Sequence, residues 1–215
     1  EDLHVRMMRG AVARGHRTVV FKPHPTAPAR YSRALETEAE KLGVDLTVLD
    51  TPVLAEVLFE RTRPALVIGC FSTALFTASV FYELPVARIG TELLLERLTP
   101  YQNSNRIPTT LADALLPDLD GGKDGDLLSA ELLSDLVTAV GFTMQPQIYP
   151  DLRPQAEQFL ARHLGPRTRR YFKKRRLTSL GLPGGIPQRL AFLPRNSTAR
   201  SVVRRARALR KAVGR

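Results

Sequence analysis

Two hydrophobic periods alternate along the first ninety residues. Residues 17–22 (Arg-Thr-Val-Val-Phe-Lys) form a short β-branched and aromatic run between Gly15 and Pro23, the pattern of a buried strand. Residues 30–42 instead place Ala34, Leu35, Ala39 and Leu42 on one helical face with charges between, and Gly43 follows as a C-cap. The same logic predicts a strand over 44–49, a helix over 53–61, a strand over 65–69, a helix over 73–82 and a strand over 86–90. Strand and helix recur about every 20 to 25 residues. That recurrence fits right-handed crossovers, so the predicted class is α/β, a doubly wound parallel sheet. From 99 to 126 the pattern breaks at Pro100, Pro108, Pro117 and Asp120-Gly121-Gly122, which predicts a loop region. Helices are expected near 127–140 and 152–164, a non-helical Gly/Pro stretch over 181–187, and a very basic helix over 199–213.

Charge divides the chain where the pattern changes. The 215 residues carry 32 Lys and Arg against 21 Asp and Glu, a formal +11. Residues 1–150 hold 14 basic and 19 acidic side chains, a balance of −5, whereas residues 151–215 hold 18 and 2, a balance of +16. The basic character therefore belongs to the last third alone and reads as an appendage. The expected organisation is a Rossmann-like nucleotide-binding domain over 1–149 and a basic, partly helical extension over 150–215. The one cysteine, Cys70, rules out an intramolecular disulfide and a Cys-based zinc site, and points to a reducing compartment. The longest apolar runs, such as 65–68, are far below the roughly 18 residues of a spanning helix. The chain opens on Glu1-Asp2-Leu3-His4 with no charged-then-apolar leader, as a processed or excised segment would.

In a parallel sheet, ligands sit beyond the carboxyl ends of the strands. Four segments stand there: Lys22-Pro23-His24-Pro25, Asp50-Thr51-Pro52, Cys70-Phe71-Ser72-Thr73 and Gly90-Thr91-Glu92. Lys22 and His24 each precede a proline and are held extended, so their side chains share a face; two such groups make a site for an anion such as phosphate. The plainer reading is a solvated lysine and a histidine that ends a strand. Ser72 and Thr73 open a helix after a buried strand, where a hydroxyl, free N–H groups and the positive helix end form a second anion site, or simply a cap. Glu56, one turn after Pro52, can accept hydrogen bonds from a sugar's hydroxyls or stand as an exposed helix carboxylate. Asp50 is at the same edge, as a ligand or as a helix cap. Cys70 reads as a small buried residue, because no cation lies beside it in sequence. The chain has no Gly-x-Gly-x-x-Gly or Walker loop, and no His/Cys/Asp cluster with metal spacing.

Val19-Val-Phe-Lys-Pro-His-Pro-Thr-Ala-Pro28 and Val67-Ile-Gly-Cys-Phe-Ser-Thr-Ala74, with Pro52-Val-Leu-Ala-Glu56 between them, resemble the bacterial polysialyltransferase family. The resemblance runs over roughly residues 15–117, including Tyr101-Gln-Asn-Ser-Asn105, and leaves out the basic tail. It implies an inverting, metal-independent GT-B enzyme, of which this chain is the carboxyl-terminal, donor-binding half. It implies a CMP-activated sialic acid as donor, no cofactor, and a glycan acceptor in surface polysaccharide synthesis. His24 matches the histidine that contacts and protonates the departing CMP phosphate, Ser72 and Thr73 the pair that binds that phosphate, and Glu56 the carboxylate that holds the ribose. Lys22, added from its charge and geometry alone, completes the expected donor-binding set with Pro25 and Asp50. The family's catalytic base lies in an acidic motif ending in Gly within the amino-terminal half. Glu1-Asp2 is followed by Leu3, so the base is not carried over, and the chain alone is expected to bind donor without transferring it.

The run 167–176 (Arg-Thr-Arg-Arg-Tyr-Phe-Lys-Lys-Arg-Arg) attracts anions of any kind. Val202, Val203, Ala206, Leu209 and Val213 fall opposite arginines at helical spacing, which favours an anionic membrane surface as the partner of residues 167–215 and a peripheral place at the inner face. A solvated end is the plainer reading. Two other functions fit parts of the sequence. One is a transferase of the teichoic-acid type using a CDP-polyol donor; the other is a nucleic-acid-binding protein, supported only by the +16 tail and opposed by the acidic first part.

Overall fold

The structure, a computed structural model, describes residues 2–24, 28, 30–49, 51–121 and 128–186. The chain is mixed α/β. Strand β1 (Thr18–Phe21) pairs in parallel with β2 (Asp45–Val48), from Thr18 opposite Asp45 to Phe21 opposite Val48. Strand β3 (Val67–Gly69) pairs in parallel with β4 (Val86–Arg88), ending with Gly69 opposite Arg88. Helix α2 (Arg30–Leu42) lies between the first two strands, α3 (Ala55–Thr62) precedes β3, and α4 (Thr73–Phe81) joins β3 to β4. The alternation is as the hydrophobic pattern predicts, but hydrogen bonding gathers the described strands into two parallel pairs, not one doubly wound sheet. The strands are three or four residues long, and β1 and β2 bury only one face, leaving Val20 51% exposed. A strand buried on both faces would not leave a mid-strand valine half in water.

A helix that the pattern does not predict, α1 (Leu3–Ala13), joins the two pairs. Asp2 caps it, its carboxylate accepting from the His4 N–H at 2.9 Å. Its apolar residues form two adjacent i, i+4 stripes. Met8 and Val12 pack with Leu35, Val19 and Phe21, while Leu3 and Met7 pack with Ile68, Ala87 and Ile89. Splitting the face between two cores blurs the single stripe that would reveal an amphipathic helix. Gly10 lets α1 come close, since a Cβ there would lie 2.5 Å from Leu119 Cδ2.

The region read as loop over 99–126 contains α6 (Arg106–Leu115), which follows α5 (Thr91–Arg97). Pro108 falls in the first turn of α6, where its missing N–H has no intrahelical acceptor to lose, so it does not break the helix. Helix α7 (Ala130–Met144) starts on the Ser129 cap. It packs against α8 (Arg153–His163), and α9 (Lys174–Leu180) follows a 3-10 turn at Arg169–Tyr171. The basic segment is therefore no appendage as far as Leu182. Phe159, Leu160, Tyr171, Phe172, Leu177 and Leu182 share a core with Leu136 and Val140 of α7 and Leu95 of α5. The basic helix expected over 199–213 lies outside the described residues. No helix among the described residues is long and apolar enough to cross a membrane.

Candidate functional site

Parallel pairing sets strand ends side by side. Leu49 N–H bonds the Phe21 carbonyl at 2.9 Å, so the loop carrying Lys22 and His24 leaves β1 next to the Thr51–Pro52 turn that follows β2. Lys22 and Pro23 are half-buried and His24 is exposed. Pro25 and Asp50, both expected at this edge, lie outside the described residues. Glu56 stands in the first turn of α3, where a carboxylate is favoured by the helix dipole. It lines a shallow depression with Val57, Glu60, Arg61 and Tyr82. Tyr82 is the C-cap of α4, and its ring packs edge-on against Phe59 of α3 at 5.6 Å.

Ser72 and Thr73 stand at the opposite end of α4. Ser72 is its N-cap, with Oγ accepting from the Ala74 N–H at 3.2 Å, and both side chains are exposed. The cap uses Ser72 Oγ as an acceptor and leaves its O–H free to donate to an oxyanion at the positive end of a nine-residue helix. The structure thus brings Ser72 and Thr73 together at the start of α4, leaves the His24 loop at the end of β1, and places Glu56 beside Tyr82 at the opposite end of α4. None of His24, Ser72 and Thr73 lines the depression at Glu56.

Across from the end of β3, close to Cys70, the structure reveals a polar cluster that the sequence reading missed. Arg88 ends β4 opposite Gly69 and is 8% exposed. Its Nη1 donates to Asp118 Oδ2 at 2.6 Å and to Thr91 Oγ1 at 2.8 Å, and lies 3.2 Å from Asp113 Oδ1. Asp113, from α6, also accepts from Thr91 Oγ1 at 2.6 Å and from the Tyr171 hydroxyl at 2.8 Å. Arg170 closes the group, donating to Glu92 at 2.8 Å and standing 3.4 Å from Asp113. Two cations thus meet three carboxylates across elements from β4 to the 3-10 turn before α9. The signal in the sequence was a single arginine inside the apolar run Val86-Ala87-Arg88-Ile89.

The cluster acts on Cys70, but burial decides the state of the thiol. Burial pushes its thiol up to about 11; Arg88 pulls it down, and Glu92 and Asp113 push it up. A cation therefore does approach Cys70, from the next strand, yet burial outweighs it and the thiol stays protonated at neutral pH. Tyr171 is raised too, chiefly by burial and then by Asp113. A second buried cation, Arg106, meets no carboxylate among the described residues but three carbonyls, those of Tyr101 at 2.9 Å, Leu98 at 3.2 Å and Leu95 at 3.3 Å. It neutralises the carbonyl end of α5 while its guanidinium stacks 4.1 Å from the Tyr101 ring centre. Burial lowers its pKa. Among the described residues, no group of three His, Cys, Asp or Glu side chains is placed to hold a metal ion.

Residues 2–91 match the model of the family described as Alpha-2,8-polysialyltransferase (POLYST). The matched stretch contains both strand pairs and Lys22, His24, Glu56, Ser72 and Thr73, and it ends at the start of α5. No curated protein and no solved structure matches the chain at a significant level.

Proposed function

Because residues 2–91 match the model of the polysialyltransferase family, we propose that this chain binds CMP-activated sialic acid at the carboxyl edge of its strands, as the donor half of a GT-B enzyme. In the reaction, an acceptor hydroxyl attacks the anomeric carbon, and the bond from that carbon to the phosphate oxygen breaks with inversion. His24 gives its proton to the departing CMP phosphate, and Ser72, Thr73 and the start of α4 donate hydrogen bonds to its oxygens. These donors do the work that a metal ion does in other transferases. Lys22 adds positive charge beside His24, and Glu56 accepts from the ribose hydroxyls. Pro25 holds the His24 loop extended, and Asp50 borders the ribose. A base outside this chain takes the acceptor's proton. The product is a surface polysaccharide, extended at the inner membrane face.

The observation that carries this reading is the hydroxyl-capped start of α4, solvent-facing after β3, in the same family-matched segment as the exposed His24 after β1. The family match lends no support to the CDP-polyol or nucleic-acid readings. Thermal unfolding with added nucleotide tests the proposal, since a ligand at a hundred times its Kd adds about 2.7 kcal/mol to the folded state. Stabilisation by CMP and not by CDP-glycerol is expected. Stabilisation by CDP-glycerol alone would overturn the choice of donor.

A further inference from the structure

The two strand pairs are not hydrogen-bonded to each other among the described residues, yet a donor bound at their carboxyl ends needs the His24 loop after β1 and the hydroxyls after β3 in one arrangement. The first turn of α1 links both ends through two consecutive residues. Leu3 reaches the β3–β4 pair. It packs on Gly90, which follows the end of β4, where φ is +76° and a Cβ would lie 2.6 Å from Leu3 Cδ1. Glycine there meets both demands, the left-handed backbone and the close approach of α1. The Ile89 N–H just before it bonds the Gly69 carbonyl at 3.0 Å, which ties this contact to the end of β3.

His4 reaches the other pair. Its ring lies 5.4 Å from the Phe21 ring, nearly edge-on, and 4.8 Å from the Tyr31 ring. Phe21 ends β1 and Tyr31 stands in the first turn of α2, so they flank the segment that carries His24. Each has its own backbone tie: Leu49 N–H on the Phe21 carbonyl at 2.9 Å, and Tyr31 N–H on the Pro28 carbonyl at 3.0 Å. One imidazole in contact with both rings holds the two sides of the segment together, and holding a loop's ends removes much of its conformational freedom. The imidazole is itself oriented. Asp2 Oδ1 accepts from the His4 N–H at 2.9 Å and from Nδ1 at 3.1 Å, and because a carboxylate only accepts, Nδ1 carries the proton. A helix cap needs the first of these bonds alone; the second fixes the ring.

We infer that His4 is a positioning residue for the donor site, holding the His24 loop in place while Leu3 beside it ties the same turn to the end of β4. Its effect on nucleotide rests on the donor-site reading above; its effect on the loop does not. The test takes the full chain and measures nitrogen relaxation of the Lys22 and His24 amides together with calorimetric titration by CMP. In the parent both amides should have order parameters of about 0.85, falling below about 0.6 in H4A, with CMP affinity lowered about tenfold. H4F keeps a ring and D2S keeps an N-cap, and each loses the bond between Asp2 and the imidazole. Both should stay ordered and bind CMP about threefold more weakly than the parent, and both serve if H4A unfolds. V12A, in the core beneath β1, should lower the unfolding temperature by a few degrees yet keep parent order and a CMP affinity within about twofold, which separates positioning from stability. Parent-like order in H4A, parent-like CMP affinity in D2S, or an equal loss of affinity in V12A would overturn the inference. So would loosened amides in H4A with CMP affinity unchanged. Loosened amides in H4A of a chain whose parent binds no CMP would leave the clamp standing and remove the donor reading alone.

Discussion

The two strand pairs and the helical half beyond α5 use charge in opposite ways. Around β1–β4 the candidate groups His24, Ser72 and Thr73 are exposed at strand ends. Beyond α5, buried or half-buried charges hold the fold: Arg106 and Arg176 close carbonyl ends of helices, and Asp113 and Arg170 lock α6 and the 3-10 turn onto Arg88 and Glu92 at the end of β4 and the start of α5. Charge aimed at water is available for chemistry, whereas charge aimed at carbonyls and carboxylates is architecture. Sequence composition alone does not distinguish the two.

The sharpest way to break this contrast is at Asp113. Its side chain is 1% exposed, and D113A would leave Arg88 buried without its closest enclosed counter-charge. Such a change costs about 3–5 kcal/mol, and unfolding temperature should fall by on the order of 10 °C. A fall of less than about 2 °C would show the cluster to be dispensable. In the strand half the effects reverse. H24A should leave the unfolding temperature within about 1–2 °C of the parent, as exposed side chains do, while lowering turnover of the complete enzyme by roughly 10²–10⁴. Circular dichroism and a CMP-release assay measure the two effects.

S72A sharpens the comparison because it touches both properties. Losing the cap should cost about 1 kcal/mol and also weaken CMP binding, so stability and affinity should fall together. Cys70 gives the smallest effect. Its thiol pKa in the folded state is about 11 against an ordinary 9.0. An unfolded chain ionises first, so the raised folded value contributes stability that is present below pH 9 and is lost as pH rises toward 11. Alkylation of the native chain should therefore lag behind that of denatured chain most strongly between those values. Equal rates near pH 9 would contradict the burial of the thiol.

The alternation of strands and helices was legible because each short element carries its own period and cap, as in 30–42 with Gly43. The pairing of strands was not, since hydropathy does not say which edges hydrogen-bond when strands are only three or four residues long. Helix α6 was hidden by Pro108, whose meaning depends on falling inside a first turn. The site positions after β1 and β3 were readable from the Lys22-Pro23-His24-Pro25 bracket and from Ser72-Thr73, where local geometry and residue type coincide. Arg88, Asp113 and Tyr171 were unreadable because they come from β4, α6 and the turn before α9, and only tertiary packing unites them. The basic run misled for a related reason. A spacing of three between Arg170, Lys173 and Arg176 marks an inward face, but the carbonyls it meets belong to α5 and α7.

The most direct test of the central claim is a calorimetric titration of the full chain with CMP, repeated for H24A and S72A with CDP and UMP as competitors. The account predicts that CMP binds the parent, that both variants lose that binding, and that both keep their fold. CMP affinity unchanged in both variants, or no nucleotide bound by the parent, would contradict a donor site at these strand ends.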